Sequence, residues 1–317
     1  MATNPLVTVL IPAYNAARYL AESIESILLQ TWPNLECVVL DGGSQDATAD
    51  IARAYAAQDP RVRVEVFPDT HPCSRIDSII PKLSSHYVAI QHADDISYGM
   101  RIARQVQAFQ EDPELGVSSG LCRSFFHDRM QAPRAEGLSI QARPEQHEHI
   151  KASLPFWWVM HCPTFMYDRE KAIANGLKFE NEYTLCNDYW QTITHIEKLK
   201  YGNIQEELSA YRMHWDSDGP RHRSQLEEES RKLKRATLEH FGIEFTERQL
   251  EIHSNLRLIP EGTVGATTPE GYDEAIAWLF EIHAQNERKN IFDKPFFTTF
   301  LQAMINRTLE LKAQTFK

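Results

Sequence analysis

The chain has 317 residues, which is enough for one large α/β domain with an appendage or for two ordinary domains. Its contents of 42% hydrophobic and 24% charged residues are typical of a folded globular protein and exclude a largely disordered chain. The formal net charge of -11 argues against a broad nucleic-acid-binding surface, which would need basic residues to neutralise phosphates, so no nucleic-acid partner is expected.

Cysteine usage and hydropathy indicate the compartment. The five cysteines are odd in number, widely scattered and without a C-x-x-C pair, which favours reduced thiols over a disulfide framework or a zinc site. The amino terminus lacks a basic region followed by a long apolar run, so no signal peptide is expected. No stretch approaches the roughly 18 apolar residues of a spanning helix. We therefore expect a cytoplasmic protein whose contact with a membrane, if there is one, is peripheral and at its inner face.

The first half of the sequence alternates β-rich runs with amphipathic helical patterns, which predicts a mostly parallel sheet flanked by helices. The continuous apolar run at residues 6–11 predicts a buried first strand. Further strands are predicted at residues 36–40, 62–67 and 87–90, with a fifth around Val117. Right-handed crossovers put the carboxyl ends of such strands on one edge, so the loops after strands one, two and four should meet in one crevice.

The second half predicts a different organisation. Residues 127–150 are polar and are expected to form an excursion from the sheet, whereas the pattern from about residue 221 onward is helical. Two apolar stripes mark these helices: Ala275, Ile276, Leu279 and Ile282, then Phe297, Phe300, Leu301, Met304 and Ile305. Such stripes predict packing on the main domain or on a second copy, so a homodimer is one expectation. The predicted division is 1–220 for the α/β domain and 221–317 for a helical extension.

Polar residues follow three of the predicted strands. They are Pro12, Ala13, Tyr14 and Asn15 after the first, Asp41, Gly42, Gly43 and Ser44 after the second, and Asp94 and Asp95 after the fourth. Glycines let the backbone approach a ligand closely, although Asp-Gly also marks an ordinary turn. Adjacent carboxylates repel each other unless a cation lies beside them, and oxygen ligands of this kind suit Mg²⁺ or Mn²⁺. A solvated pair that caps the next helix is the alternative.

Several motifs in this order resemble family 2 glycosyltransferases. They are V-T-V-L-I-P-A-Y-N at 7–15, D-G-G-S-Q-D-A-T at 41–48, A-D-D at 93–95, H-C-P-T-F at 161–165, N-D-Y-W at 187–190 and Y-R-M-H at 211–214. The resemblance covers about residues 5–216, and the motifs are specific jointly rather than singly. It implies the GT-A fold, a Rossmann-like and mostly parallel sheet flanked by helices, here with a helical carboxyl-terminal extension.

The resemblance also implies roles for individual residues. Donor binding would fall to Pro12, Ala13, Tyr14, Asn15, Asp41, Gly42, Arg75 and Asp94, with Arg75 placed on the loop before the fourth strand. Asp94, Asp95 and His214 would hold a Mn²⁺ or Mg²⁺ ion, and Asp188 matches the general base. From the residues themselves, His161, Trp157 and Trp158 could line the acceptor side, but a structural histidine and core packing are equally simple explanations.

Three positions depart from the family pattern. Gly42 stands where many members have a second acid, which puts uridine recognition in question. His92 stands at a position that is often acidic, which predicts altered ribose contacts. Asn187 precedes the expected base where glutamate is frequent, and the loss of a like-charged neighbour predicts a lower pKa for Asp188.

The resemblance implies an inverting transferase that moves a sugar from a nucleoside-diphosphate sugar, with a UDP-sugar favoured, to a saccharide or lipid-linked saccharide acceptor. The process would be the synthesis of a bacterial surface or cell-wall polysaccharide. A nucleotidyltransferase of sugar phosphates is a second hypothesis, but residues 12–15 do not form the glycine-rich, basic loop that a triphosphate needs. A catalytically silent sugar-nucleotide-binding protein is a third, against which the presence of Asp94, Asp95, Asp188 and His214 counts.

Overall fold

The computed structural model describes residues 4–68, 71–126, 143–179, 182–214, 222–256 and 268–316. The chain divides into two compact units. The first unit comprises Met1–Glu145 with Met160–Arg221, and the second comprises Gln146–Val159 with His222–Lys317.

One mixed sheet organises the first unit. Its strands are β1 Val7–Ala13, β2 Leu35–Asp41, β3 Val62–Val66, β4 Tyr87–Ile90, β5 Ile96–Ser97, β6 Leu115–Phe126, β7 Met166–Asp168 and β8 Lys200–Met213. Their spatial order is β3-β2-β1-β4-β7-β6-β8-β5. Among the described residues, four pairings are parallel and three are antiparallel. The prediction of an α/β fold with a mostly parallel sheet is therefore confirmed.

Helices connect the strands and form the second unit. In chain order they are α1 Leu20–Leu28, α2 Thr48–Gln58, α3 Pro72–Ile79, α4 Arg101–Glu111, α5 His147–Ser153, α6 Arg169–Ala174, α7 Asn187–His195, α8 Arg223–His240, α9 Glu247–Asn255, α10 Pro269–Lys289 and α11 Lys294–Thr315. Short 3₁₀ turns lie at Ile80–Lys82 and Cys162–Thr164.

The parallel half of the sheet places its loops on one edge. Strand β1 pairs with β2 so that Ala13 lies opposite Asp41, the last residue of each strand. Strand β4 pairs with the other side of β1 in the same direction. The apolar residues of β1 are fully buried, as the continuous run predicts, because helices cover both faces of such a sheet. The loops after β1, β2 and β4 therefore leave the sheet at a common edge.

The second half of the sheet adds residues from far along the chain to this edge. Strand β5 follows Asp95 at once and pairs with β8, with Ile96 opposite Ala210. This short pairing brings the end of β8, which carries Arg212 and His214, beside the acidic loop. Sequence alone could not supply the register, because two residues of strand carry little pattern.

The second unit is helical in its described residues, as the sequence predicts. Apolar side chains along α10 and α11 are buried, with Trp278, Leu279, Phe297 and Leu301 at most 1% exposed. At the end of the predicted excursion from the sheet, His147–Ser153 forms α5, which buries Ile150 and belongs to the second unit. Residues 127–142 of that prediction lie outside the described residues. Among the described helices, none has the length and hydropathy needed to cross a membrane.

Candidate active site

Side-chain hydrogen bonds tie the loop after β1 to the loop after β2. The backbone N–H of Asn15 donates to Ser44 Oγ at 2.9 Å, and the N–H of Gln45 donates to Asn15 Oδ1 at 2.9 Å. The N–H of Ala16 donates to Thr48 Oγ1 at 2.7 Å. Asn15 has a φ of 48°, in the left-handed region that asparagine tolerates better than most residues. Two loops that carry expected donor-binding residues thus form one connected wall.

Asp41 shapes this wall rather than facing open solvent. Its side chain is 1% exposed, and its carboxylate accepts hydrogen bonds from the backbone N–H groups of Gly43 at 3.2 Å and Ser44 at 3.3 Å and from Ser44 Oγ at 2.5 Å. In contrast, Tyr14 is 54% exposed, so its ring is free of the core and available to a ligand.

Arg75 lies in a different element from the one expected. It belongs to helix α3, where Pro72 stands in the first turn and His71 Nδ1 accepts the N–H of Cys73 at 3.3 Å, and not to a loop. The Arg75 side chain is 1% exposed, and Nη1 donates to the carbonyl oxygens of Ala13 at 2.8 Å and Leu40 at 2.6 Å. These two hydrogen bonds place the guanidinium between the ends of β1 and β2. Burial lowers the pKa of Arg75, and the nearby Asp41 carboxylate opposes that shift.

The acidic loop after β4 is held by the end of β8. The backbone N–H of Arg212 donates to Asp95 Oδ1 at 2.7 Å, and Arg212 Nε donates to the carbonyl oxygen of Asp94 at 2.7 Å. The Arg212 side chain is buried, and its Nη2 forms an ion pair with Glu22 Oε2 at 2.6 Å. Its guanidinium also lies over the ring of Tyr19 at 4.6 Å. Sequence reasoning assigned Arg212 no role, although it stands inside the Y-R-M-H motif.

A second buried arginine, Arg101, stabilises the acidic loop after β4 through hydrogen bonds. Arg101 Nη1 donates to Gln91 Oε1 at 2.8 Å, and Arg101 Nη2 donates to the carbonyl oxygen of Ile90 at 2.7 Å. Gln91 Nε2 in turn donates to the carbonyl oxygen of Asp95 at 2.8 Å. Burial lowers the pKa of Arg101 to about 10, so it keeps its charge at neutral pH close to the acidic pair. No sequence motif marked Arg101 or Gln91, because their function depends on contacts across the fold.

His92, Asp94 and Asp95 form a cluster that could hold a cation. One ligand atom from each residue lies within 4.8 Å of the others. The side chain of Asp95 is 0% exposed, and His92 Nδ1 lies 3.3 Å from its Oδ2. His214 approaches from the other side, with Nε2 2.9 Å from Asp94 Oδ2, and its ring lies against Tyr19. The structure therefore brings together all three residues predicted to bind metal and adds His92 to them.

Asp188 lies at the start of α7, and the charge of His92 acts on its carboxylate. Cys162 interacts electrostatically with both Asp188 and His92. Burial raises the pKa of Asp188 above its ordinary value, while the backbone N–H of Tyr189 and the charge of His92 lower it less. Asn187 donates its side-chain N–H to Cys73 Sγ at 2.8 Å, and a pKa of Asp188 lower than beside a glutamate stays a prediction.

The residues expected on the acceptor side fall into both units. His161 directly precedes the 3₁₀ turn that begins at Cys162. Burial and the charge of Arg143 lower the pKa of His161 to about 4, so the imidazole is neutral at neutral pH. Trp157 belongs to the second unit, where its ring packs on Phe300 with centroids 4.9 Å apart. Trp158 belongs to the same unit and is partly buried. A role for these three residues in acceptor binding stays a prediction.

Comparison with known sequences identifies relatives of the chain. An uncharacterized glycosyltransferase of Haemophilus influenzae is 25% identical over 248 residues, which are 76% of each chain. Glycosyltransferase GlyG of Streptococcus pneumoniae is 35% identical over 203 residues, 59% of this chain and 65% of GlyG. The putative teichuronic acid biosynthesis glycosyltransferase TuaG of Bacillus subtilis is 29% identical over 109 residues, 34% of this chain and 43% of TuaG.

Solved structures share the fold at low sequence identity. TarS 1–349 of S. aureus in complex with UDP-GlcNAc matches with a TM-score of 0.55 and 14% identity, covering 98% of this chain and 91% of TarS 1–349. The mannosyltransferase PcManGT of Pyrobaculum calidifontis, in complex with GDP-Man and Mn²⁺, matches with a TM-score of 0.53 and 17% identity. That match covers 100% of this chain and 89% of PcManGT. These neighbours have the GT-A fold, which the chain shares.

The sequence profile described as glycosyl transferase family 2 matches residues 8–175, which include β1 to β4, the acidic loop and His161. The profile match covers more than half of the chain and the elements that build the site edge. This chain is therefore a member of glycosyl transferase family 2 with the GT-A fold.

Proposed function

We propose that this glycosyltransferase moves a sugar from a nucleoside-diphosphate sugar to an acceptor hydroxyl with inversion at the anomeric carbon, assisted by Mn²⁺ or Mg²⁺. The observation that carries the proposal is the electrostatic interaction of Asp188 with His92 of the acidic cluster and with Cys162. It supports one site to which residues 92–95 and 188, far apart in sequence, both contribute. We assign catalysis to residues 1–220 and regard 221–317 as an extension.

The acidic cluster fits a divalent cation. Asp95 has one buried carboxylate oxygen, Oδ2, that receives no hydrogen bond from the described residues. A buried carboxylate oxygen that has no hydrogen-bond donor destabilises the folded state, and a cation beside this oxygen would remove that free-energy cost. When bound, such an ion would stabilise the negative charge that develops on the leaving diphosphate. Asp94 and Asp95 would hold it, with His214 against Asp94.

Asp188 suits the removal of a proton from the acceptor. A general base works best when its pKa lies near the working pH, and burial moves the pKa of Asp188 upward from the ordinary range of a carboxylate. The backbone N–H of Tyr189 donates to Asp188 Oδ1 at 2.8 Å and so orients the carboxylate. With the base on one side of the sugar and the diphosphate on the other, attack would proceed in line, which supports inversion.

The donor end of the site is the connected wall after β1 and β2. Exposed Tyr14 offers a ring on which a nucleobase can stack, and Arg75 adds positive charge between the two strands. The neighbours TarS and PcManGT bind UDP-GlcNAc and GDP-Man, which supports a nucleotide-sugar donor without deciding the base. The relationship to TuaG supports a role in bacterial polysaccharide synthesis, with a saccharide or lipid-linked saccharide as acceptor.

A thermal-shift screen of UDP-, GDP- and dTDP-sugars, each with MnCl₂ and with EDTA, tests the donor and the cation together. We expect one nucleotide to raise the melting temperature strongly with Mn²⁺ and weakly with EDTA. Equal stabilisation in EDTA would contradict a cation-dependent donor site. The selected donor is then incubated with candidate acceptors, and failure to release nucleoside diphosphate with any of them would contradict transfer itself.

A further inference from the structure

His92 occupies a position that gives it access to the acidic cluster. It follows β4 by two residues, and its side chain is 35% exposed, in contrast to the fully buried Asp95. Its Nδ1 lies 3.3 Å from Asp95 Oδ2, the oxygen that receives no hydrogen bond from the described part of the chain. The imidazole therefore lies beside a buried carboxylate oxygen of the cluster, and its own side chain is partly exposed to solvent.

The spacing of the three residues matches that of ligands around a small cation. Two neighbouring ligands, each about 2.1 Å from an octahedral ion, are about 3 Å apart. The 3.3 Å separation of His92 Nδ1 and Asp95 Oδ2 is close to this value, and all three ligand atoms lie within 4.8 Å of one another. Only small side-chain shifts would be needed for the three to share one ion.

His214 has a different relation to the cluster. Its Nε2 lies 2.9 Å from Asp94 Oδ2, but His214 is outside the set of residues whose ligand atoms are mutually within 4.8 Å. A histidine that touches one ligand carboxylate orients that carboxylate, as groups around metal ligands commonly do. The geometry thus favours His92 over His214 as the source of a nitrogen ligand.

We propose that the imidazole of His92 is a direct ligand of the divalent cation, so that a mixed nitrogen and oxygen set selects Mn²⁺ over Mg²⁺. The inference rests on the proposed cation-assisted function and names the cation. Its physical basis is ligand preference, because Mg²⁺ favours oxygen ligands, whereas imidazole suits softer first-row transition ions. A carboxylate at position 92 would give an all-oxygen set and remove that selectivity.

Electron spin-echo spectroscopy of bound Mn²⁺ tests the proposal directly. The full chain is frozen with substoichiometric MnCl₂, and ¹⁴N modulation is measured for the wild type, His92→Asp, His92→Asn and His214→Asn. We expect modulation in the wild type and in His214→Asn, and its loss in both position-92 variants. His86→Asp is the matched control, since His86 is exposed and lies at the opposite end of β4.

Calorimetric titration with MnCl₂ and MgCl₂ provides the second readout. We expect the wild type to bind Mn²⁺ at least about tenfold more tightly than Mg²⁺, and His92→Asp to reduce that ratio by about tenfold, mainly by gaining Mg²⁺ affinity. His92→Asn should lose Mn²⁺ affinity by about 10–100-fold. His92→Asp places a third carboxylate beside Asp94 and Asp95. If that variant does not fold, the neutral His92→Asn variant still tests the proposal.

Two results would overturn the proposal. If ¹⁴N modulation survives in His92→Asn but disappears in His214→Asn, the nitrogen ligand is His214 and not His92. A wild type that binds Mn²⁺ without ¹⁴N modulation would exclude both histidines while leaving cation-assisted transfer intact. If Mn²⁺ does not bind at all, the inference fails together with the cation in the proposed function, and the donor and acceptor assay still decides whether transfer occurs.

Discussion

Gly42 and Arg75 are close enough to exclude any side chain at position 42. A Cβ atom built on Gly42 would lie 2.5 Å from Arg75 Nη1 and 2.8 Å from Arg75 Cζ. The guanidinium occupies the space into which a side chain at position 42 would extend, so the glycine at position 42 and the buried arginine are one feature. Arg75 cannot move aside without losing its hydrogen bonds to Ala13 and Leu40.

Gly42→Ala is therefore expected to destabilise the protein. Displacing a buried, hydrogen-bonded guanidinium is a form of overpacking, which typically costs about 1–3 kcal/mol. Because Arg75 joins the ends of β1 and β2, donor affinity should fall as well. Chemical denaturation measures the free energy of unfolding, and donor titration measures affinity. Gly99→Ala is the control, since its nearest neighbour, the Leu29 carbonyl oxygen, lies at 3.7 Å; equal effects of the two substitutions would contradict the explanation.

Asp188→Asn should abolish turnover while leaving donor binding intact. The amide cannot accept the acceptor's proton, and loss of a positioned base costs about 10²–10⁴-fold in rate. Initial rates at saturating donor give kcat, and the thermal shift with donor and Mn²⁺ reports binding. Glu182→Gln, an exposed carboxylate near the start of α7, serves as the control. Unchanged kcat in Asp188→Asn would remove this residue from the role of base.

Cys162→Ala should shift the acid side of the pH–rate profile to higher pH. The base acts when it is deprotonated, so activity is lost as the pH falls through the pKa of Asp188, which burial already raises. The Cys162 thiol and His92 both lower that pKa, so removal of the thiol should raise the pKa of Asp188 further. The profile of kcat against pH measures the shift. Cys186→Ala is the matched control, and a profile that moves to lower pH in Cys162→Ala would contradict the effect assigned to the thiol.

His253 makes the second unit sensitive to acid. Nε2 donates to the carbonyl oxygen of Pro155 at 2.7 Å, and Nδ1 accepts from Trp278 Nε1 at 3.2 Å, so the neutral ring is fully bonded. Burial and the charge of Lys234 lower its pKa from 6.5 to about 3. A histidine whose pKa is lower in the folded state contributes stability above its unfolded pKa and loses that contribution as the pH falls toward the folded value.

Between pH 6.5 and pH 5 this group alone should reduce the free energy of unfolding by about 2 kcal/mol. His253→Gln is expected to be less stable at neutral pH but to lose less stability over that interval. Denaturant titrations at both pH values measure the difference, and other titrating groups cancel because the two proteins share them. Parallel pH slopes for wild type and His253→Gln would show that His253 does not carry the effect.

The local patterns of the sequence predicted the elements that carry the site. The run at β1 predicted a buried strand, residues 87–90 predicted β4, and the loops after β1, β2 and β4 were expected on one edge, as observed. These predictions succeed because parallel strands with helical connections need continuous apolar runs, and the crossover rule fixes the edge.

Local sequence patterns could not predict the contacts between distant segments of the chain. Arg75 was expected on a loop and is buried in α3, and burial raises the pKa of Asp188, which no sequence pattern indicated. Both features depend on burial, which is set by the segments of the chain that pack over a residue. For the same reason, the sequence indicated no role for Arg101, or for Arg212 and Cys162, although these two lie inside quoted motifs.

The sequence by itself determined the family, the first four strands and the three acidic residues, since these depend on residue type and local spacing. Tertiary structure alone decided that the two-residue strand β5 pairs with β8, which brings Arg212 and His214 to the acidic loop, and that Asp188 and Cys162 come close enough to His92 to interact with its charge. Pairing and packing between remote segments stabilise the protein only when the whole sheet has formed, so no local sequence pattern predicts these contacts.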